Sequence, residues 1–180
     1  MALVRLVAAV CRPTSRPALR ATGILAITAA IGAGIAPRGA PPALLNRTPS
    51  EPPGIYIRAG DPVRPGAVIA FRTPAAAFPY ADRHMAYLHT RPILKAVAAG
   101  SGDRVCAAGA ELVINGVDRA PIQRQDGEGR ALPHWSGCRT LGPGELFVFS
   151  DRVPNSFDSR YFGPVQRQAV LGVYRLAAAL

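Results

Sequence analysis

Residues 111–117 read ELVINGV: a short apolar run, then the pair Asn115-Gly116, then a β-branched residue. Two-residue hairpin turns prefer Asn-Gly, because both of their central positions need a positive φ. The stretch therefore predicts two antiparallel strands joined by a tight turn. Outward from it, other apolar runs of strand length lie between turn-forming residues. The predicted strands are residues 54–58, 67–71, 93–97, 111–114, 145–149 and 169–174.

A helix is favoured in one short window of this region, residues 80–89, which lies between Pro79 and Pro92. Strands that recur around one short helical insert are typical of a mostly β domain. A chain of 180 residues has room for one domain with a core plus an additional segment. We therefore expect one mostly β domain with a small helical insert.

The N-terminal segment has the charge pattern of a membrane anchor. Residues 1–20 hold four arginines and no acidic residue, and residues 21–36 carry no charge. These 16 residues fall short of the roughly 20 that a spanning helix prefers. The pattern predicts a basic cytoplasmic tail over 1–20 and a single transmembrane or signal-anchor helix over 21–36, with the rest outside the cytoplasm. A cleaved signal peptide and a buried core helix stay open as alternatives.

Beyond the anchor, residues 37–45 are rich in proline and small residues and are predicted to be a linker. Residues 46–180 then form the extracytoplasmic domain. The formal net charge is +10, but four of the 21 basic residues lie in the N-terminal tail, which leaves 17 against 11 acidic residues. No basic cluster interleaved with aromatic residues and no DNA-binding spacing is present. The charge thus favours an anionic membrane surface as partner over nucleic acid.

Cys106 and Cys138 are the two cysteines outside the N-terminal tail, which holds Cys11. In an exported domain an even pair is typical of a disulfide, and closing a loop of this size would stabilise the fold by roughly 3–4 kcal/mol. Two unpaired buried thiols are the alternative.

Twenty of the 21 basic residues are arginine, and the single lysine is Lys95. An arginine keeps its proton at any pH a protein survives, whereas burial can strip a lysine ammonium of its proton. Upstream lies Ser50, whose backbone surroundings are fixed by prolines and a glycine. A serine nucleophile with a lysine base is a known variant of the serine triad. The alternative is that an arginine-rich composition left one lysine by chance.

The three histidines give no comparable arrangement. His84 and His89 are five residues apart and would lie on different faces of a helix, and His134 has no partner at ligand spacing. Neither a histidine-based triad nor a metal site is therefore predicted.

Three ordered segments resemble the signature boxes of the type I signal peptidase superfamily. They are residues 46–56 (NRTPSEPPGIY), residues 94–103 (LKAVAAGSGD) and residues 156–165 (SFDSRYFGPV). The resemblance runs from Asn46 to the C-terminus. It is nearest to the TraF-like branch, the conjugative-transfer peptidases that process pilin precursors. It implies a signal-peptidase-like β fold that needs no cofactor.

The resemblance also implies roles for individual residues. Ser50 matches the nucleophile and Lys95 the general base. Thr48 matches the residue whose hydroxyl completes an oxyanion hole with the Ser50 N–H, and Ser156 the residue that orients the lysine. The residues that match bracing positions are Asp158, Arg160 and Asp103. Cys106 and Cys138 are similar to a cysteine pair of this branch.

These implications predict a membrane-anchored serine endopeptidase in the bacterial inner membrane, with a single span and a catalytic domain facing the periplasm. Its expected substrate is the precursor of an exported protein, with a conjugative pilin subunit as the favoured case. Some members of the branch cyclise this subunit. Its expected partners are this precursor, the membrane and proteins of a type IV secretion or conjugation system. A general signal peptidase that removes secretory leaders is one alternative. A non-catalytic β domain of a conjugation or secretion apparatus is the other.

Overall fold

The computed structural model describes residues 39–107 and 109–180. The predicted cytoplasmic tail, the predicted anchor helix and the first two residues of the predicted linker lie outside the described residues. Within the described part of the chain, no helix combines the length and the apolar character needed to cross a membrane.

Eleven β-strands form two antiparallel sheets in this part of the chain. The strands are β1 (Ala43–Asn46), β2 (Gly54–Ala59), β3 (Val68–Phe71), β4 (Ile93–Ala99), β5 (Arg104–Cys106), β6 (Glu111–Ile114), β7 (Val117–Pro121), β8 (Cys138–Thr140), β9 (Glu145–Val148), β10 (Val165–Gln166) and β11 (Val170–Ala179). The larger sheet has the order β1-β2-β11-β3-β4-β9-β10, and the smaller one has the order β7-β6-β5-β8. The predicted mostly β class is confirmed.

The predicted hairpin joins β6 to β7. Asn115 and Gly116 have φ angles of 52° and 80°, the left-handed conformations that a tight hairpin turn requires. Side chains alternate between the faces of a strand, and β4 follows this rule by burying Ile93, Lys95 and Val97 on one face. The lone lysine therefore occupies a position that an apolar residue would ordinarily fill.

The predicted helical window forms helix α1 (Tyr80–His84) and a 3₁₀ turn (Ala86–His89). They are separated by Met85, whose φ of −143° and ψ of 41° interrupt the helix. A second short helix, α2 (Ser159–Phe162), begins after Asp158, whose side chain accepts a hydrogen bond from the Arg160 N–H. This N-cap satisfies a backbone donor that the helix itself leaves free.

Two apolar clusters meet at strand β9. Leu146 and Val148 join a cluster with the helical insert, whereas Phe147 joins a cluster with the smaller sheet. Alternation along β9 thus places the strand between two cores. Phe157 packs against both clusters, which fixes the segment just before α2 at their junction.

The structure corrects one boundary. Residues 43–45, predicted as the end of the linker, belong to β1. β1 pairs antiparallel with β2, Leu45 opposite Ile55 and Asn46 opposite Gly54. The neighbouring strand supplies hydrogen-bond partners to the backbone, which the composition of a short edge strand does not reveal.

Candidate active site

Ser50 and Lys95 lie side by side although 45 residues separate them. The lysine Nζ donates a hydrogen bond to the serine Oγ at 2.5 Å. Both side chains are only 5 % exposed. β4 fixes the lysine, and the proline-rich turn between β1 and β2 presents the serine. The two residues that the sequence singles out are thereby brought into direct contact.

Burial lowers the pKa of Lys95, because a charged ammonium loses its hydration in the interior. The negative charges of Asp158 and Glu51 oppose this effect, and the positive charge of Arg160 adds to it. An ordinary lysine is almost entirely protonated at neutral pH, so the lowered pKa increases the neutral fraction that can accept a proton.

Asn46, at the end of β1, holds the turn that carries the serine. Its Nδ2 donates to the carbonyl oxygens of Thr48, Glu51 and Pro52 at 2.9–3.2 Å. Its Oδ1 accepts from the Thr48 N–H at 3.1 Å and from the Thr48 hydroxyl at 2.8 Å. One buried side chain thus fixes both flanks of Ser50.

The Thr48 Oγ1, which is predicted to help form an oxyanion hole, lies 3.4 Å from the Ser50 Oγ. Its hydroxyl proton is directed at the Asn46 Oδ1. A hydroxyl has one proton to donate, so it must rotate to serve an oxyanion. The oxyanion-hole role of Thr48 stays a prediction.

The loop after β9 holds the same turn from the opposite side. The Ser150 hydroxyl donates to the Ser50 carbonyl oxygen, and the Arg152 Nε donates to the Pro49 carbonyl oxygen at 3.2 Å. No local pattern in the sequence indicates these contacts, because they join segments about 100 residues apart.

Asp158 and Arg160 form a fully buried ion pair at the start of α2. The guanidinium donates from Nε and Nη2 to the two carboxylate oxygens, both at 2.9 Å. It also donates to the carbonyl oxygens of Ser156 and Pro121 at 3.1 and 2.9 Å. A buried charge that is paired and donates four hydrogen bonds fixes the segment around it. The bracing role of Asp158 and Arg160 stays a prediction.

Ser156 is brought to the site without the predicted contact. It is buried and lines the same cavity as Ser50 and Lys95. Its Oγ has no hydrogen-bond partner among the described residues, so the expected bond to the lysine is not formed. The Arg160 guanidinium instead binds the Ser156 carbonyl oxygen, which fixes the backbone of this residue and not its hydroxyl.

Asp103 does not brace this site. Its carboxylate accepts from the Gly100 N–H and from the Asn115 Nδ2, both at 2.8 Å. These hydrogen bonds lower the pKa of Asp103. The residue therefore fixes the turn between β4 and β5 to the hairpin of the smaller sheet, because its neighbours in space differ from those that the box pattern suggests.

Cys106 and Cys138 form a disulfide between β5 and β8, where they are directly paired across the strands. This agrees with the predicted disulfide rather than with two unpaired thiols, and it links residues 32 positions apart within the smaller sheet. No group of three or more metal-ligating side chains occurs in residues 39–107 and 109–180.

Glu51 is a site residue that the sequence analysis missed. It is 6 % exposed, and its Oε1 accepts from the Ala96 N–H at 2.7 Å. Burial raises the pKa of this carboxyl, although the Ala96 hydrogen bond and the charge of Lys95 act in the opposite direction. The available signal in the sequence was an acidic residue directly after the candidate nucleophile, in a turn that holds three prolines.

A cavity of about 690 Å³ opens over the serine and lysine. It lies between strand β1 and the helical insert, and its lining is largely apolar. The lining residues are Leu44, Leu45, Asn46, Arg47, Thr48, Pro49, Ser50, Met85, Tyr87, Leu88, Arg91, Pro92, Ile93, Leu94, Lys95, Val153, Asn155, Ser156 and Phe157. A hydroxyl in contact with a buried amine at the floor of an open cleft is an arrangement suited to nucleophilic attack on a bound carbonyl.

Comparison with known proteins gives one family. Residues 25–178 match the model of the family described as signal peptidase, peptidase S26. The chain is 34 % identical to the plasmid transfer protein TraF of Escherichia coli over 74 % of this chain and 81 % of that protein. It is also 34 % identical to the conjugal transfer protein TraF of Agrobacterium fabrum strain C58, over 73 % and 79 %. A signal peptidase I from Enterococcus faecalis V583 is similar at 23 % identity and a TM-score of 0.39, covering 64 % of this chain and 98 % of that one.

Proposed function

We propose that this chain is a serine endopeptidase with Ser50 as nucleophile and Lys95 as general base. The chain belongs to the signal peptidase family, peptidase S26. The observation that carries the proposal is the 2.5 Å contact between the Ser50 Oγ and the Lys95 Nζ at the floor of the cavity. Arginine could not replace this lysine, because a guanidinium does not release its proton.

In the proposed reaction the neutral amine of Lys95 takes the proton of Ser50 while the Oγ attacks a peptide carbonyl. The C–N bond then breaks, and the ammonium returns its proton to the leaving amine. The acyl-enzyme that remains on Ser50 is attacked by water, which gives a linear product, or by an amine of the substrate, which gives a cyclic one. The fixed backbone of residues 48–52 supports this mechanism, because it holds the nucleophile in one position before substrate binds.

The substrate we propose is an extended segment of an exported precursor. β1 is an edge strand of the larger sheet and lines the cavity, so a peptide can add to it as a further strand. Apolar lining residues such as Leu45, Leu88 and Ile93 suit a substrate with small or apolar side chains around the cleaved bond. The relatives named as transfer proteins favour a conjugative pilin precursor over a general secretory leader.

We also propose that the chain is anchored in the bacterial inner membrane by residues 21–36, with its catalytic domain in the periplasm beside other proteins of a conjugation apparatus. The uncharged stretch after an arginine-rich tail supports this orientation. The Cys106–Cys138 disulfide supports an oxidising compartment.

The test is incubation of the full chain in membranes with a pilin precursor and, separately, with a secretory precursor, with the product masses as readout. We expect the wild type to shorten the pilin precursor, and Ser50→Ala and Lys95→Arg to leave it intact. Ser101→Ala, a matched change in an exposed turn, should cleave like the wild type. A mass lower by one water molecule distinguishes a cyclic product from a linear one. Cleavage by Lys95→Arg at the wild-type rate would contradict the mechanism.

A further inference from the structure

Glu51 and Ala96 form a bridge directly behind the two reacting side chains. Glu51 follows Ser50 in the sequence, and Ala96 follows Lys95. The carboxylate Oε1 accepts the Ala96 N–H at 2.7 Å, and the carboxylate is almost fully buried. The residue after the nucleophile is therefore bonded to the residue after the base.

This bridge lies where β4 of the larger sheet has a backbone N–H that β9 does not pair. β9 pairs with β4 at Val97 and Ala99, after which its extension contacts the Ala96 carbonyl through the Phe149 N–H. The Ala96 N–H is satisfied by Glu51. A buried backbone N–H without a partner is costly, so the carboxylate stabilises β4 at the point where the lysine projects.

The charge of Glu51 acts on the same amine. The charged groups that influence Lys95 are Glu51, Asp158 and Arg160. The charge of Asp158 is offset in part by its bidentate pair with Arg160, which acts on the Lys95 pKa in the opposite direction. None of the ion pairs among the described residues includes Glu51. Its own charged neighbours are Lys95, Arg152 and Asp151.

We propose that Glu51 is a positioning residue for the Ser50–Lys95 pair with two separable roles. Its carboxylate oxygen fixes β4 against the nucleophile turn through Ala96, and its negative charge, held next to residue 95 by this hydrogen bond, favours the protonated Lys95 amine. The inference rests on the proposed Ser/Lys mechanism, because only a base must lose its proton to act. A negative charge near an ammonium favours the charged form, so Glu51 holds back deprotonation that burial promotes.

Two substitutions separate the roles. Glu51→Gln keeps an oxygen that can accept the Ala96 N–H but removes the charge. Glu51→Asp keeps the charge but is one methylene shorter, so the bond to Ala96 is lost. The first variant should move the pH dependence, and the second should lower the rate without moving it.

The single lysine makes a direct measurement possible. Labelling the full chain with lysine carrying ¹³C at Cε gives one protein resonance, that of Lys95, whose shift follows protonation of the amine in detergent micelles. We expect its midpoint to lie at lower pH in Glu51→Gln than in the wild type. The acid limb of kcat/KM should move the same way, with a rise on the order of threefold at a pH on that limb. Glu145→Gln, a matched change at a carboxylate paired with Arg139, should leave the midpoint in place.

An unchanged midpoint in Glu51→Gln would overturn the role of the charge. For Glu51→Asp we expect the wild-type midpoint and a kcat lower by about tenfold, because the base loses its fixed position. Wild-type kcat in Glu51→Asp would overturn the positioning role, and this variant stands as a test by itself if the glutamine form does not fold. The resonance titrates whether or not the chain cleaves a precursor, so failure of the proposed function and failure of the charge coupling give different results.

Discussion

Replacement of Asn46 by alanine tests whether the hydrogen bonds of this side chain hold the turn that carries Ser50. The side chain makes five hydrogen bonds, all to residues 48–52 and three of them to backbone carbonyls. It is 8 % exposed, so water cannot simply take its place. Asn46→Ala removes every one of these bonds and touches neither Ser50 nor Lys95.

The expected cost follows from this count. A typical hydrogen bond contributes about 0.5–1.5 kcal/mol net, and the two Nδ2 protons are shared among three acceptors. We therefore expect Asn46→Ala to lower the free energy of unfolding by about 2–4 kcal/mol. Because the turn also fixes the nucleophile, kcat should fall by about tenfold or more in the protein that remains folded.

The assay is equilibrium unfolding in urea followed by circular dichroism, with cleavage measured where the variant is folded. Asn155→Ala serves as the control, because this exposed asparagine also lines the cavity but lies in the loop before α2. A loss of unfolding free energy below about 0.5 kcal/mol for Asn46→Ala would refute the account of the turn.

Two other predictions concern buried charges. Because burial lowers the pKa of Lys95, the unfolded chain binds more protons than the folded chain between the folded pKa and the ordinary value of 10.5. The free energy of unfolding of the wild type should therefore rise with pH across that window. Lys95→Met should lack this pH dependence and should melt at a higher temperature than the wild type at the low-pH end of the window. Thermal melts whose pH profiles are parallel in the two proteins would contradict this. Asp158→Asn leaves the Arg160 guanidinium buried without its counterion and should cost about 3–5 kcal/mol in urea unfolding. Asp61→Asn, which breaks the exposed pair with Arg175, should lower the free energy of unfolding by less than about 1 kcal/mol. Equal losses in the two variants would contradict the larger contribution assigned to the buried pair.

The sequence predicted the long strands because their patterns are local. β4 alternates buried and less buried residues along its length. Asn115-Gly116 specifies the turn between β6 and β7 through backbone conformation alone. β1 escaped prediction because prolines precede it and its hydrogen bonds come from β2. Short strands such as β8 and β10 likewise depend on their neighbours in the sheet.

The same distinction holds at the site. Ser50 and Lys95 could be predicted because each has a chemical reason to stand out in the sequence. Glu51 could not, because its partner is a backbone N–H of a segment 45 residues away that folds against it. The role of Asn46 depends on the conformation of the turn over residues 48–52, which the residue types alone do not specify. Asn46 carried a weak local signal, since asparagine often hydrogen-bonds the backbone two residues further on.

Asp103 and Ser156 show the limit of transferring a box pattern. The pattern fixes residue types in order but not the contacts that their side chains make. Asp103 binds the hairpin of the smaller sheet, and the buried Ser156 hydroxyl has no partner among the described residues. Both outcomes depend on loops whose conformation is decided by tertiary packing.

The central claim is that Lys95 activates Ser50 for covalent attack, and its most direct test is to trap the acyl-enzyme. The full chain is mixed with a precursor, and the reaction is quenched in acid during turnover. The protein is then digested, and the mass of the peptide that contains Ser50 is measured by mass spectrometry. We expect a substrate fragment esterified to Ser50 in the wild type and no such adduct in Lys95→Arg. An adduct on another residue, or equal adduct on Ser50 in both proteins, would contradict it.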